Sequence, residues 1–414
     1  MQWTQKKKYL AVAMGACVLG ALVYGGKQYL AARELARIND ARIDGGWYES
    51  PLSYNGTWYL VPPNEVYGSG VEEGGIPALI NPKTMTIAEA DEVIADDLGG
   101  ISVEMNGEAR FYPVQIMNWH EVVHDTLGGE SILVYYGPLT GTASVYELPE
   151  GKTFTVSGQE YNNDVLLKEE GTETLWSGVR GTPVVAANEA TLSTSLVRLP
   201  STFMTWGEWK DVHDSGFVLS TDTGYTRDYT RHPYGNYENS PGVYFPVNHS
   251  AIPVRAKEPA YVVQLTEGSA LMVNIVALLD QTPSVQVGAE CVVAFRDVAM
   301  SYTNIFSCGI DGQMLTFTRA GSDTFVDAET SSTWNSSGVA ISGELKGTQL
   351  TLAPVIRTYI FAADALFPAA TVMGEEFIFE EEEEIDTDAV DAAGGAVIEG
   401  ENTDGATIEV VPAE

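Results

Sequence analysis

The sequence predicts an α+β fold that is predominantly β, with two related β-rich domains behind one N-terminal transmembrane helix. Three observations support this fold class. The composition, with 41 Gly and 20 Tyr but 22 Lys and Arg in 414 residues, favours strands and turns over long helices. A pattern of strands and glycine turns occurs twice along the chain. One uncharged apolar segment near the N-terminus has the length that a bilayer requires.

Residues 1–44 are predicted to form a signal anchor followed by a helical stalk. Three lysines at residues 6–8 precede an apolar run over residues 9–25 that contains no charge. A run of about 17 residues spans the bilayer core when flanking residues help. A cleaved signal peptide is the alternative, but it would have a shorter apolar core and a small-residue exit. We therefore favour an uncleaved anchor, with residues 27–40 (KQYLAARELARIND) as the stalk.

Residues 76–244 and 245–373 are predicted to be two copies of one β-rich domain. The string GGISVEMNGEARFY in the first copy compares with PAYVVQLTEGSALMV in the second, and ETLWSGVRGTPV compares with SSTWNSSGVAISGEL. The period of about 160 residues indicates a two-domain duplication rather than a solenoid. Trp176 and Trp334 occupy matching positions, where we expect core anchors rather than ligand platforms.

Three further segments differ in composition from these copies. Residues 45–75 are rich in Gly, Tyr and Pro and are predicted to be an irregular lead-in. Residues 224–247, here called the Tyr-rich loop, contain too many turn-forming residues for regular structure and are predicted to be a long ordered connection. Residues 374–414 hold 15 of the 57 acidic residues and no Lys or Arg, which predicts a disordered acidic tail.

The charge of the chain argues against a nucleic-acid partner. The formal net charge is −35, and an acidic surface repels the phosphate backbone that nucleic-acid binding requires.

Cys291 and Cys308 bracket two strand-like runs with a turn near residues 297–300. In a hairpin centred there, the two cysteines lie opposite each other. A cross-strand disulfide and a pair of unpaired core cysteines are both consistent with this pattern. A redox role for the pair is a third hypothesis, although the two thiols are far apart in sequence for a fast dithiol switch.

The Tyr-rich loop contains the candidate ligand-binding residues Arg227, Asp228, Tyr229 and Tyr234. A guanidinium group together with tyrosine rings suits a small anion or a sugar. The structural alternative is that Arg227 and Asp228 fasten a long loop to the body of the protein.

The segment HEVVH, residues 120–124, has the spacing of a zinc site. On a helix, His120 and His124 would share one face and ligate a metal ion, with Glu121 placed to deprotonate its water. A helix ending at Gly128 and Gly129 is predicted to carry this segment. The extended zinc-protease pattern is not met, and the alternative is an amphipathic helix with Trp119 and Val123 inward.

Several segments between residues 76 and 352 resemble, in order and spacing, the family known as domain of unknown function 3179. They include IPALINP, NGEARFYPVQIMNWHEVVHD, FTVSGQEYNNDVLL, TWGEWKDVH, HPYGNY and TFVDAETSSTWNSSGVAISGELKGTQL. The resemblance implies an architecture more than a function, because the family has no agreed activity. Members typically carry a Cys-Pro-Leu-Cys site, and in the string VYYGPLTGTA this chain has Gly137 and Thr140 at the two thiol positions. His124 also departs from the family, which usually shows asparagine there.

His120 and Glu121 belong to the string shared with the family and are the candidate catalytic residues. A histidine beside a carboxylate serves as acid, base or ligand near neutral pH. In a member with intact thiols, the resemblance implies that His120 lies near them and lowers a thiol pKa. In this chain, without thiols, we expect the pair to orient the segment from Gly137 to Thr140.

We expect a single-pass membrane protein with most of its chain on the extracytoplasmic side. Positive charges flank the apolar run on both sides, so the charge rule alone does not decide the orientation. The family resemblance and three Asn-x-Ser/Thr sequons favour the outer side.

The sequence favours a non-catalytic binding or assembly component that has lost the family thiol pair. Its expected partners are the membrane, through residues 9–25, and an unidentified protein or small molecule, and no cofactor is expected. The alternative is a metal-dependent hydrolase or oxidoreductase that uses the HEVVH segment with a zinc, copper or iron ion.

Overall fold

The computed structural model describes residues 46–48, 50–248, 256–264, 270–274, 284–287, 290–297 and 302–373. Over these residues the chain is mostly strand, and its helices are short. The prediction of an α+β fold that is predominantly β is therefore confirmed.

The first half contains, in chain order, β1 (Leu52–Tyr54), β2 (Thr57–Tyr59), β3 (Tyr67–Gly68), β4 (Leu79–Ile80), β5 (Thr84–Met85), α1 (Ile87–Asp91), β6 (Gly99–Met105), β7 (Glu108–Pro113), α2 (Val114–His120), β8 (Val122–Leu127), β9 (Glu130–Gly137), β10 (Thr142–Glu147), β11 (Phe154–Tyr161), β12 (Asp164–Glu169), β13 (Leu175–Ser177), β14 (Thr182–Ala186), α3 (Glu189–Leu192), β15 (Arg198–Leu199), β16 (Thr202–Thr205), α4 (Trp206–Val212) and β17 (Phe217–Leu219).

The second half contains β18 (Pro259–Gln264), β19 (Ala270–Asn274), β20 (Ser284–Val287), β21 (Glu290–Arg296), β22 (Thr303–Ser307), β23 (Gly309–Ile310), β24 (Gln313–Met314), β25 (Phe317–Arg319), β26 (Thr324–Asp327), β27 (Thr333–Asn335), β28 (Ala340–Ser342), β29 (Val355–Tyr359), α5 (Ile360–Leu366) and β30 (Thr371–Met373).

Local sequence signals explain where two of the helices begin. Helices α1 and α4 both start at capping boxes, Thr86 with Glu89 and Thr205 with Glu208. In each box the threonine hydroxyl accepts from the backbone of the glutamate, whose carboxylate in turn accepts from the backbone of the threonine. The boundaries of these helices are therefore encoded locally.

A nine-stranded sheet joins the two halves of the chain. Its main path runs β30-β19-β18-β29-β10-β9-β8-β4, and β10 also pairs with β15. The halves meet where Ala143 of β10 pairs with Arg357 of β29. The backbone N–H of Tyr359 donates to the carbonyl of Thr140 at 2.7 Å beside this junction. The sheet therefore continues across the domain boundary that the sequence predicts near residue 244.

The lead-in over residues 45–75 is not irregular, and that prediction is wrong. It supplies β1, β2 and β3, which lie at the two ends of a seven-stranded sheet of order β1-β2-β14-β13-β12-β11-β3. The β1–β2 hairpin turns at Asn55 and Gly56, whose φ angles are 52° and 84°, as a two-residue hairpin turn requires. Strands of two or three residues are too short for alternation to reveal them in the sequence.

Strand β9 lies between two apolar cores. Leu133 and Tyr135 belong to the core shared with the seven-stranded sheet, whereas Ile132, Val134 and Tyr136 belong to the core shared with β6, β7 and α2. Successive side chains of a strand point to opposite faces, so one strand contributes to both cores. Its hydrophobic run is accordingly almost continuous.

The same strand connectivity occurs in both halves. The β6–β7 hairpin has β16 antiparallel beside β6 and β17 parallel beside β7, with α4 between β16 and β17. The β18–β19 hairpin has β29 antiparallel beside β18 and β30 parallel beside β19, with α5 between β29 and β30. The four-stranded run β11–β14 likewise has a counterpart in β25–β28.

Trp176 and Trp334 are equivalent in their packing. Each is buried, and each packs edge-on against a phenylalanine, Phe154 at 5.6 Å and Phe317 at 5.8 Å between ring centroids. Each indole N–H also donates to a carboxylate seven residues earlier in the chain, at 3.1 Å for Trp176 and 2.9 Å for Trp334. Both tryptophans are core anchors, as expected.

The predicted membrane segment and the acidic tail lie outside the described residues. Within the described ranges, no helix combines the length and the apolar character that crossing a bilayer requires.

Cys291 and Cys308 are joined by a disulfide with a Cα–Cα distance of 5.4 Å. They lie opposite each other on β21 and just beyond β22, where the backbone N–H of Cys308 donates to the carbonyl of Cys291 at 3.1 Å. Both are buried among the aromatic side chains of the second half, including Phe295 and Phe306. The structure therefore contains the cross-strand disulfide rather than two unpaired core cysteines.

We expect a Cys291→Ser, Cys308→Ser double variant to lose about 3 kcal/mol of unfolding free energy. The reason is that the disulfide closes a loop of 17 residues and removes about that much chain entropy from the unfolded state. Denaturant unfolding with and without reductant measures the difference. Reduced wild-type protein should be as stable as the variant. Equal stability of the variant and the wild type measured without reductant would contradict the prediction.

Candidate functional site

The HEVVH segment is not helical, and that prediction is wrong. Helix α2 ends at His120, and Glu121 has a φ of 58°. Strand β8 then pairs antiparallel with β9, with Val122 opposite Tyr135 and Leu127 opposite Glu130. Gly128 and Gly129, the predicted helix stop, form the two-residue turn of this hairpin, with φ angles of 57° and 84°. The β-branched Val122 and Val123 suit the strand better than a helix.

His120 is buried and bonded on both ring nitrogens. Its Nδ1 lies 2.8 Å from the carbonyl of Pro77, and its Nε2 lies 2.7 Å from the hydroxyl of Tyr229. A carbonyl only accepts, so Nδ1 holds the proton and Nε2 of the neutral ring accepts from Tyr229. Burial lowers the pKa of His120 from 6.5 to about 4, with a smaller contribution from the charge of Arg227. The imidazole is therefore neutral at physiological pH.

His124 contacts a different part of the protein. Its Nε2 lies 3.0 Å from the carbonyl oxygen and 3.3 Å from the backbone nitrogen of Phe154, at the start of β11. Burial also lowers the pKa of His124. The i and i+4 geometry that motivated a zinc site is thus missing. Within the described ranges, no cluster of three or more His, Cys, Asp or Glu side chains is arranged to hold a metal ion.

Glu121 is fully buried beside His120. Its Oε1 accepts a hydrogen bond from the hydroxyl of Tyr234, whereas its Oε2 has no hydrogen-bond partner among the described residues. Burial raises the pKa of the Glu121 carboxyl to about 8, because the charged form is costly away from water. This carboxyl is mostly protonated at neutral pH.

Two more buried carboxyls, which the sequence did not single out, lie in the same region. Burial, together with the charges of Glu121 and Asp164, raises the pKa of Glu160 well above its usual range. Burial raises the pKa of Asp164 to about 7. Asp164 accepts from the hydroxyls of Tyr135 and Ser177 and from the backbone of Val179. The sequence signal is the polar string EYNND between two apolar strands.

The turn after β9 has no room for a side chain at Gly137. A Cβ atom there would lie 2.5 Å from the Tyr135 hydroxyl oxygen and 2.8 Å from Oγ1 of Thr140. The Thr142 hydroxyl lies 2.8 Å from the hydroxyls of both Thr140 and Thr358. The hydroxyl groups of Tyr135 and Thr140 therefore fill the space beside Gly137. The backbone N–H of Tyr136 donates to the carbonyl of Glu121 at 2.8 Å, which links this turn to the His120–Glu121 pair.

The Tyr-rich loop covers both the His120–Glu121 pair and the turn after β9. Tyr229 and Tyr234 point inward, and each bonds one member of the pair. The Tyr237 hydroxyl donates to the carbonyl of Leu139 at 2.8 Å.

Lys257 fixes the end of this cover. Its Nζ donates to the carbonyls of Tyr237 and Ser240 at 2.6 and 3.0 Å and lies 3.4 Å from the centroid of the Tyr237 ring. The Tyr-rich loop is therefore held at several points along its length.

Arg227 and Asp228 do not join the inward tyrosines. The Arg227 guanidinium lies 5.9 Å from the centre of the Trp119 ring. Asp228 accepts from the backbone and hydroxyl of Thr230 at 3.1 and 2.6 Å. The four predicted ligand-binding residues thus divide into an inward pair and an outward pair. The contacts of Asp228 lie within the loop, whereas Arg227 reaches the body of the protein at Trp119.

The arrangement joins a neutral histidine, a protonated carboxyl and several phenols in a buried cluster. Such groups are able to exchange protons with a bound molecule. In the closed arrangement, however, the nitrogens of His120 and Oε1 of Glu121 are bonded to the chain itself.

We expect stability to fall as the pH rises from about 4.5 to about 8, and a Glu121→Gln variant to reduce this dependence. Across that window folded Glu121 retains a proton that the unfolded state has lost, so deprotonation favours unfolding. The variant removes up to about 1.4 kcal/mol of slope per pH unit. Denaturant unfolding at several pH values measures it. A Glu150→Gln variant at an exposed position is the control, and equal slopes for wild type and Glu121→Gln would contradict the assignment.

We expect a Gly137→Ala variant to lose about 1–3 kcal/mol, because overpacking at a buried position displaces Tyr135. Combining it with Tyr135→Phe, which removes the hydroxyl oxygen nearest the added methyl group, should recover part of the loss. A double-mutant cycle measured by thermal unfolding gives this coupling. Gly242→Ala, where no atom lies within 4 Å of the added Cβ, is the matched control. Additive effects of the two substitutions would disprove the clash.

Comparison with known proteins agrees with the sequence resemblance. A family profile described as "Protein of unknown function (DUF3179)" matches residues 73–370. No curated protein and no solved structure matches the chain. The matched region contains His120, Glu121, the turn after β9 and the Tyr-rich loop, and it covers more than half of the sequence. The chain therefore belongs to the DUF3179 family of proteins of unknown function.

Proposed function

We propose that this protein is a membrane-anchored, extracytoplasmic binding or assembly component without catalytic activity of its own. It keeps the family scaffold after loss of the thiol pair. Its partners are the membrane, through residues 9–25, and a protein or small molecule yet to be identified. The apolar run at residues 9–25 supports the anchor, and the family resemblance and sequons support the outer location.

The observation that carries this proposal is the closure of the His120–Glu121 pair. Both side chains are fully buried, and each is bonded to a tyrosine of the Tyr-rich loop. A catalytic pair must reach a substrate atom directly or through one water. Here Nε2 of His120 and Oε1 of Glu121 are already bonded to hydroxyls of the Tyr-rich loop, which supports a role other than catalysis.

The outer side of the Tyr-rich loop is the surface we propose for partner contact. Tyr225 is 45% exposed there, and its ring centroid lies 5.4 Å from that of buried His120. Arg227 lies nearby, over Trp119. Tyrosine and arginine are enriched at protein interfaces, so this part of the loop suits a binding role better than a chemical one.

We also propose that the chain arose by duplication of one β-rich unit. The repeated connectivity of hairpin, flanking strands and short helix supports this origin. The paired arrangements of Trp176 with Phe154 and Trp334 with Phe317 support it further. Because the two units share one sheet, duplication and fusion would have produced a single continuous scaffold.

The alternative is a metal-dependent hydrolase or oxidoreductase that uses His120, Glu121 and His124 with zinc, copper or iron. One observation favours it, namely the unpartnered Oε2 of Glu121 next to His120. An unpaired buried carboxylate oxygen costs free energy, which a bound cation would recover. This alternative requires the Tyr-rich loop to open and His124 to leave Phe154.

Elemental analysis of the full chain, extracted in detergent without chelators, distinguishes these functions. We expect no stoichiometric zinc, copper or iron in wild-type protein. A His120→Ala, His124→Ala double variant should lose at least about 1–3 kcal/mol of stability. The reason is that backbone groups of Pro77 and Phe154 lose a hydrogen-bond partner and the Tyr229 hydroxyl loses one of two. About one metal ion per chain that is lost in this variant and retained in an exposed His232→Ala control would favour the enzyme.

A further inference from the structure

Three asparagines, Asn55, Asn248 and Asn335, begin Asn-x-Ser/Thr sequences. This sequence is the acceptor for N-linked glycans, which are bulky surface groups. Because the glycan is attached to the amide nitrogen, an asparagine whose amide is used inside the fold is a poor acceptor. The structure separates the three asparagines by this criterion.

Asn248 uses its amide nitrogen within the protein, and Asn335 uses its amide oxygen. The Nδ2 of Asn248 donates to a carboxylate oxygen of Glu65 at 2.6 Å and to the Tyr161 hydroxyl at 3.1 Å. The Oδ1 of Asn335 accepts from the backbone of Val339 at 2.8 Å. Ser336, the next residue, is buried and donates to Asp297 at 2.9 Å. A glycan on Asn248 would have to displace the two contacts of its Nδ2. The Asn335 side chain is half-buried beside buried Ser336, so a glycan there would have far less room than on an exposed side chain.

Asn55 is different because it lies at the tip of the β1–β2 hairpin with an exposed side chain. Its φ of 52° and the φ of 84° at Gly56 define the turn. A Cβ built on Gly56 meets no atom within 4 Å, so the space around the tip is open. Thr57, which completes the acceptor sequence, follows at the start of β2.

The location of Asn55 also gives a glycan a physical role. Strand β1 is an end strand of the seven-stranded sheet over the described residues. Such strands present unpaired backbone groups on which another chain can add a strand, and proteins protect them with charge, bulges or covering groups. A hydrated glycan at the hairpin tip would keep this edge strand from pairing with the edge strand of a neighbouring copy on the same membrane.

We propose that Asn55 is an N-glycosylation site, modified by transfer from a polyprenyl-phosphate-linked glycan. The inference rests on the extracytoplasmic orientation of the proposed function. In the transfer, a bond forms between the anomeric carbon and Nδ2 of Asn55, and the bond from that carbon to the phosphate oxygen breaks. The Nδ2 proton passes to a base, and the lipid phosphate leaves. No oxidant or reductant is needed.

Mass spectrometry of peptides from the full chain, purified from membranes of its own cells, tests the proposal. We expect the peptide with Asn55 to carry added glycan mass and the peptides with Asn248 and Asn335 to be unmodified. Asn55→Gln and Thr57→Ala should each abolish the added mass. Thr57→Ser keeps the acceptor sequence and should retain it, and Asn335→Gln should leave the mass of the Asn55 peptide unchanged.

A second measurement on the same cells separates failure of this site from failure of the orientation. An exposed thiol is introduced by Glu150→Cys and treated with a membrane-impermeant maleimide before lysis. Cys17, the chain's third cysteine besides Cys291 and Cys308, is replaced by serine in this variant so that it cannot react. If the introduced cysteine is labelled in intact cells while Asn55 carries no glycan, the glycosylation proposal is wrong and the orientation remains supported. If the cysteine is labelled only after lysis and Asn55 carries no glycan, both the glycosylation proposal and the extracytoplasmic orientation are wrong. Added mass that persists in Asn55→Gln would place the modification elsewhere and also overturn this proposal.

Discussion

Strand β9 is the element on which the rest of the structure depends. It pairs with β8 on one side and β10 on the other, and its alternate side chains fill two separate cores. Tyr135 shows the consequence, because its ring packs over Gly137 and Gly178 while its hydroxyl lies 3.2 Å from Asp164 of β12. One strand thereby joins the nine-stranded sheet, the seven-stranded sheet and the turn from Gly137 to Thr140. A change of register in β9 would invert both cores.

The burial that stabilises this centre also determines its electrostatics. Glu121, Glu160 and Asp164 lie where water is excluded, and their pKa values rise for that reason first. The same desolvation lowers the pKa of His120. Glu121, Glu160 and His120 therefore favour their neutral forms, whereas Asp164, with a pKa of about 7, is divided between its two forms near neutral pH. This cluster of titratable residues thus carries less charge in the fold than the same residues would carry in water.

The comparison of sequence with structure is most instructive at three segments. The cysteine pair was approached correctly from the sequence, because a hairpin register places Cys291 and Cys308 opposite each other whichever chemistry they adopt. The HEVVH segment was misread, because a Gly-Gly pair marks a hairpin turn as readily as a helix end. Residues 45–75 were misread because their strands are short and two of them pair with β11 and β14, which are far away in sequence.

The sequence by itself determined the strand-rich class, the hairpin of the cysteine pair, the tryptophan anchors and the family, since these follow from local pattern and composition. Only the tertiary structure decided which buried groups meet. Glu160 and Asp164 come into the region of Glu121 through sheet packing, and Tyr229 and Tyr234 reach His120 and Glu121 from more than 100 residues away. No local signal encodes such contacts, because their stability comes from burial against distant strands. For the same reason, the sequence places Gly137 and Thr140 after β9, whereas only the fold shows that the Tyr135 hydroxyl fills the space beside Gly137.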